Sequence, residues 1–398
     1  MDETTLERFA ELLVGLGANV RPGQIVAVSS EIGKEPLTRA IASCAYRHGA
    51  TYVDVCYADP HVRRARIAHG SDAALETVPS WIGQRILALG EQRCARVALT
   101  GPVAPRLLED LDPARLGADR AQTLREAGTV LNERTTNWTI APCPSEGWAA
   151  LVHPQLGADA ALAQLWEQVV HVCRLDEQDP VAAWRERMAT LAGAAERLTA
   201  ARFDVLHFEG PGTDLTVGLL PSSTWLSASF ETRDGIAHLP NLPSEEVFTT
   251  PDPARVDGVV RATKPLQLAG ATIEGLTVRF EDGRAVQIDA ERGADVLRSM
   301  SVHDDGAARL GEVALVDGSG RIGPLDTVFY DTLLDENAAS HVALGQAFAF
   351  AVGDEDAERI NMSNVHIDFM IGGDDVHVTG IAAGGARTPV LRGGAWQL

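Results

Sequence analysis

Apolar positions in the first half of the chain fall into short β-like runs separated by helix-like stretches. "GQIVAVSS" (23–30), "TYVDVCYAD" (51–59), "ARVALTGP" (95–102) and "NWTIAPCP" (137–144) read as strands bounded by turn residues. After the first of them, "PLTRAIASCAYRHG" carries apolar residues at helical spacing and ends on Gly49, a residue suited to a helix C-terminus. Strands alternating with helices predict βαβ units and a parallel sheet. A long helical pattern then covers about 158–202, interrupted near "DEQDP" at Asp176.

From Phe203 onward strand-like pieces with Gly and Pro turns take over. "DVLHFEGPGTDLTVGL" predicts a hairpin turning at Gly210 to Gly212. "AGATIEGLTVRFEDGRAVQIDA" predicts another, turning at Asp282 and Gly283 between alternating flanks. The expected organisation is an α/β domain over 1–200 and an α+β domain over 201–398 with a largely antiparallel sheet. No internal repeat or low-complexity tract is visible. The first strand is not followed by GxGxxG and no Walker sequence occurs, so a nucleotide role has little support.

Composition narrows the partners. The 398 residues favour two domains, and the net charge of −21 speaks against nucleic acid or an anionic membrane surface. Cationic ligands remain compatible, although solubility alone accounts for such a charge. Lysine occurs only at Lys34 and Lys264. Five cysteines at wide, irregular spacing with no CxxC pair suggest reduced thiols in a cytoplasm. "MDETTLERFA" lacks the apolar core of a signal peptide, and no apolar run reaches membrane-spanning length.

Residues that suggest chemistry lie between Glu246 and Asp368. In "NLPSEEVFTTPD" the adjacent Glu245 and Glu246 should point to opposite faces of a strand, one to solvent and one inward. An inward carboxylate needs a cation, a metal or a proton beside it. "HIDFM" places His366 and Asp368 on one strand face, a metal half-site or else an exposed strand pattern. Glu312 begins the apolar run "EVALV", with Ala314 and Val316 as same-face neighbours. "DTLLDENAASHVALGQAFAF" reads as a helix N-capped by Asp335, with His341, Gly345 and Phe348 along one stripe and Gly345 leaving room beside the imidazole. Asp331 lies nearby, and Glu336 reads as a first-turn charge on the helix dipole or as a member of the site. Glu246, Glu312, His341, His366 and Asp368 together suit two divalent cations of the Zn, Co or Mn kind, which can activate water and polarise a carbonyl.

"VLHFEGPGTDLTVGL", "NLPSEEVFTTPD", "VRATKPL", "IEGLTVRFEDGR", "RLGEVALV", "FYDTLLDENAASHVALGQAF" and "HIDFMIG" together strongly resemble the thermophilic-type metallo-aminopeptidases, the aminopeptidase T, AmpS and PepS group. The resemblance covers about 203–372, and more weakly the layout of the first domain. It implies a homodimeric two-domain enzyme with a shielded metal pair that removes N-terminal residues from small peptides. It implies Glu246, Glu312, His341, His366 and Asp368 as ligands, and so makes Glu246 the inward glutamate. Glu245 and Glu336 are candidates to accept the proton of the attacking water.

The chain departs from the family pattern where an active-site tyrosine is expected, since that position is Phe348. The stretch 348–361 looks short for the family, and "DGSGRIGPLD" replaces a serine-rich stretch, leaving Arg321 as a substitute electrostatic contact or a solvent-facing loop residue. Alternative readings are a relative acting on a non-peptide amide or other small molecule, and an iron enzyme similar to 2,5-dihydroxypyridine dioxygenase, in which His341, His366 and Asp368 would hold a single iron. A non-enzymatic binding scaffold is a further reading, in which intact ligands would have no use.

Overall fold

A computed structural model describes residues 1–119, 125–268 and 271–398. The chain divides into two compact units. One comprises 1–111, 118–188 and 228–244, and the other 112–117, 189–227 and 245–398.

The first unit is built on four parallel strands: β1 (Ile25–Glu31), β2 (Tyr52–Ala58), β3 (Ala95–Thr100) and β4 (Trp138–Pro142). Their order across the sheet is β2-β1-β3-β4, all pairs parallel. Helix α1 (Glu3–Leu12) precedes β1, and α2 (Glu35–Arg47) makes the crossover to β2. Asp2 caps α1 by accepting the Thr5 N–H at 2.8 Å. His48 ends α2, and the next residue, Gly49, takes φ +86°, the left-handed conformation the sequence anticipates there. The long helical pattern resolves into Ala158–Val172 and Pro180–Ala201, with the break at the expected place.

The second unit holds two main sheets. The larger is eight-stranded and contains both expected hairpins, Val205–Gly210 with Thr213–Leu219 and Thr277–Glu281 with Arg284–Asp289. Asp282 and Gly283 have φ of 49° and 78°, the double positive φ of a tight hairpin turn. The smaller sheet has four antiparallel strands, ordered His366–Met370, His341–Gly345, Leu310–Val316 and Glu246–Thr249.

One element differs in kind from its expectation. In the stretch 331–350, expected to be a helix capped at Asp335, the only α-helix is Thr332–Glu336, and His341–Gly345 is an inner strand of the smaller sheet. Asp331, not Asp335, occupies the N-cap position. The buried Asp335 carboxylate accepts the Phe329 and Asp331 N–H groups at 2.9 and 3.2 Å, and burial pushes its pKa up to about 7. "HVALG" has neutral propensity, so pairing on both edges decides its state. Gly345 excludes a helix directly: its φ is +105°, and a Cβ there would lie 2.0 Å from the Val365 carbonyl oxygen. Gly345 therefore serves the backbone crossing, rather than opening space beside an imidazole.

Candidate metal centre

Residues paired directly across an antiparallel sheet share a face, as do residues two apart along a strand. In the smaller sheet Glu246 pairs with Val316, and Glu312 with Ala343, which in turn pairs with Asp368. His341 pairs with Ala314, and Gly345 with His366. Period two along each strand then puts Glu246, Glu312, His341, His366 and Asp368 on one face of one sheet. Ala314, Ala343 and Gly345 lie among them, so the middle of the face is lined by the smallest side chains. The opposite face carries Val313, Val342, Ile367 and Phe369, all buried. A stretch of 123 positions in sequence, from Glu246 to Asp368, thus collapses to neighbouring strands.

The donors form two triads that share one member. Glu246, Glu312 and His341 bring ligand-type atoms within 4.8 Å of one another, and so do Glu312, His366 and Asp368. His341 Nε2 stands 3.0 Å from Glu246 Oε2. His366 Nε2 stands 3.2 Å from Glu312 Oε2 and 3.3 Å from Asp368 Oδ1. His341 and His366 belong to different triads, which is not the facial set that a single iron would need.

The far side of each imidazole fixes its tautomer. His341 Nδ1 lies 3.0 Å from the Glu336 carbonyl and 3.2 Å from the Ala339 carbonyl, and His366 Nδ1 lies 2.8 Å from the Gln346 carbonyl. Only an N–H can serve a carbonyl, so both Nδ1 atoms carry hydrogen and both Nε2 atoms turn a lone pair toward the carboxylates. Glu246 Oε2 is buried without a hydrogen-bond donor. Two acceptors facing each other at 3.0 Å call for a positive charge between them.

Electrostatics give the same answer. Burial alone would depress His341, but Glu246, then Glu312 and Asp368, pull it well above the ordinary imidazole value. His366 is likewise driven up against burial by Asp368 and Glu312. Burial raises Glu312, with Glu246 and Asp368 adding to the rise, while Asp368, although buried, is held low by His366 and His341. Such a surplus of negative charge accepts either protons or metal cations. The donor set fits divalent metal: imidazole nitrogen and carboxylate oxygen, no thiolate, one shared carboxylate, and one orphaned oxygen.

The two remaining glutamates separate. Glu336 ends the short helix, not its first turn, and burial followed by the charges of Asp368 and Glu246 raises it well above the carboxylate range. It is therefore immersed in the field of the cluster. Glu245 is fully buried, contrary to the expectation that one of the adjacent pair faces solvent. Its N–H donates to Asn337 Oδ1 at 2.6 Å, and its carboxylate accepts weakly from the Arg321 N–H at 3.5 Å. Gly320 makes room for it, since a Cβ there would sit 3.1 Å from Glu245 Cδ. The 320–321 loop thus covers the side on which solvent was expected.

Phe348 closes an aromatic wall on the other side. Its ring centroid lies 5.3 Å from His366, 5.4 Å from Phe248 and 5.3 Å from Phe350. An apolar ring, without a hydroxyl, stands beside one of the candidate ligands.

A family model described as thermophilic metalloprotease (M29) matches residues 2–396. The chain belongs to this family. Aminopeptidase T of Thermus aquaticus is 42% identical over 99% of this chain and 98% of its own length. Aminopeptidase PepS of Streptococcus thermophilus is 38% identical over 99% and 98%. The solved structure of wild-type AmpT from Thermus thermophilus superposes with a TM-score of 0.90 at 40% identity, covering 100% of both chains. The mixed architecture, parallel in the first unit and antiparallel in the second, is that of the family. None of these relatives is named as a dioxygenase or as a non-peptide amidase. Among the described residues no helix is long and apolar enough to cross a membrane.

Proposed function

We propose that this family member is a metal-dependent aminopeptidase whose centre is the shared-glutamate double triad, holding two divalent ions of the Zn, Co or Mn kind. The observation that carries the reading is the set of two imidazole Nε2 atoms and three carboxylates converging on one sheet face, with Glu246 Oε2 lacking a donor. Glu246 and His341 would hold one ion, His366 and Asp368 the other, and Glu312 both. Adding Glu336 makes four carboxylates around the site, enough to neutralise two dications but a surplus for one. Bound there, such ions supply Lewis-acid polarisation of a carbonyl and activation of water.

The protein's own groups do the rest. The backbone carbonyls of Glu336, Ala339 and Gln346 hold the imidazoles in the ligating tautomer. With an ion held there, the neutral α-amine of a substrate end would find a ligand position, which suits cleavage at a peptide N-terminus. Glu336, buried in the field of the cluster, would take the proton released when water attacks once the ions offset the neighbouring carboxylate charges. Glu245, engaged with Asn337 and the 320–321 loop, is better suited to shaping the wall. The aromatic wall of Phe348 offers an apolar surface for the substrate side chain or leaving group. Five free cysteines fit a reducing cytoplasm, and the family resemblance extends the reading to a homodimer.

One experiment tests the core of this. Purified protein should bind two divalent equivalents at this centre and release the amine from aminoacyl amides, but not from their N-acetylated forms. Cleavage of both forms alike, or a single iron at the centre, overturns the reading. Glu336→Gln assigns the remaining carboxylate: full metal content with kcat down about 100-fold or more marks a proton acceptor, whereas lost metal marks a further donor.

A further inference from the structure

A second group of metal-type donors lies in the other unit and takes no part in the proposed peptidase reaction. Cys44 and His48 are four residues apart, His48 at the C-terminal cap of α2, so both face the same side of that helix. Glu11 reaches them from α1. Its Oε1 stands 2.6 Å from His48 Nε2, and its Oε2 stands 3.2 Å from Cys44 Sγ. The three ligand-type atoms lie within 4.8 Å of one another. One residue beyond Glu11, where α1 ends at Leu12, the helix widens into a single π-turn, Leu13–Gly17. Within it Gly15 keeps the ring side open, for a Cβ there would meet His48 Cε1 at 3.3 Å and Glu11 Oε1 at 3.5 Å.

We propose that Glu11, Cys44 and His48 form a separate site for one soft divalent ion of the zinc class. Sulfur, imidazole nitrogen and carboxylate oxygen are the ligands zinc takes, and the three leave a fourth tetrahedral position for water. Thiolate and carboxylate together neutralise a dication. Binding is balanced by loss of the Cys44 thiol proton to solvent, with no change of oxidation state. The partly exposed Glu11 and His48 give the ion a way in, while the buried Cys44 supplies the preference for a soft metal over magnesium or calcium. The ion would clip α1 to α2. Without it the same atoms make a hydrogen-bonded trio, and that is the competing account.

Cobalt(II) separates the two accounts and also separates this site from the peptidase centre, which contains no sulfur donor. Metal-free full-length protein loaded with cobalt(II) should develop a near-ultraviolet thiolate-to-cobalt charge-transfer band. Cys44→Ser and Glu11→Gln should abolish or strongly weaken it, bind about one equivalent fewer, and leave peptidase activity unchanged. Glu11→Gln keeps the side-chain volume at a half-exposed position, so a folded variant is available even if Cys44→Ser proves unstable. Absence of the band in the wild type, or its persistence in Cys44→Ser, overturns the proposal. The test does not depend on the peptidase reading, because the band reports sulfur ligation alone.

Discussion

Buried histidines behave in opposite ways in the two units. His238, in the first unit, packs against Trp138 and Phe230 with ring centroids 6.1 and 6.2 Å away, and burial lowers its pKa to about 4. His341, in the second, is as deeply buried and is driven the other way by carboxylates. His238 Nε2 has no partner, whereas His341 Nε2 faces one. Burial therefore does not set the charge of a histidine; what shares the cavity does. An aromatic surround keeps the ring neutral and structural, while a carboxylate surround requires a cation and creates a site for chemistry.

The strongest way to break this contrast is at Glu312, the one residue common to both triads. Glu312→Ala should abolish binding of both ions and lower kcat/KM by about three orders of magnitude or more, the loss of several kcal/mol of transition-state stabilisation. Metal analysis alongside steady-state kinetics checks it, and retention of two ions with near-normal rates would contradict the shared role. Next is Ala343, which lies between Glu312 and Asp368 in one cross-strand row. Ala343→Leu should fill the ion space, reducing activity about 100-fold while costing roughly 1–3 kcal/mol of stability from overpacking. Activity and urea-unfolding midpoints measured together distinguish blockage from unfolding.

The neutral histidine offers a pH test. The folded pKa of His238, about 4, lies below the ordinary 6.5, so the unfolded chain takes up its proton first. Its contribution is fully present above about pH 6.5 and is lost as pH falls through 6.5 toward 4, amounting to about 3 kcal/mol. His238→Leu should flatten that part of the pH dependence of unfolding free energy; a curve parallel to the wild type would show that the ring is not buried neutral. The smallest expected change is at the aromatic wall. Phe348→Tyr returns a hydroxyl beside His366 and should raise kcat several-fold, up to about tenfold, if that hydroxyl steadies the developing oxyanion. Unaltered kcat would place the ring in substrate packing alone.

These contrasts also show what the sequence could disclose. The parallel strands were legible because their apolar runs are bounded by turns and joined by a capped helix at Gly49. Both hairpins were legible from Gly and Asp-Gly signals whose backbone conformation few other residues adopt. His366 and Asp368 showed themselves through period two. His341 reads as helical because it shares an i, i+4, i+7 stripe with Gly345 and Phe348 behind a capping aspartate, and nothing local announces an inner strand paired on both edges. A helix there also puts Glu336 in a first turn, whereas it ends the short helix. The solvent-facing expectation for Glu245 failed for a related reason: a strand pattern says which residues alternate, but not that a loop from 320–321 lies over the second face. Cross-strand rows such as Glu312–Ala343–Asp368 depend on register, which no single segment encodes.

Register itself carries a consequence. Side chains alternate along every strand, so a slip of one residue by the His341–Gly345 strand would send its imidazole into the hydrophobic interior and present Val342 to the proposed metal site. Assembly of this centre is thus a digital event. A misaligned molecule would lose a donor of the Glu246–Glu312–His341 triad outright instead of loosening it, while the triad of Glu312, His366 and Asp368 has no member on that strand.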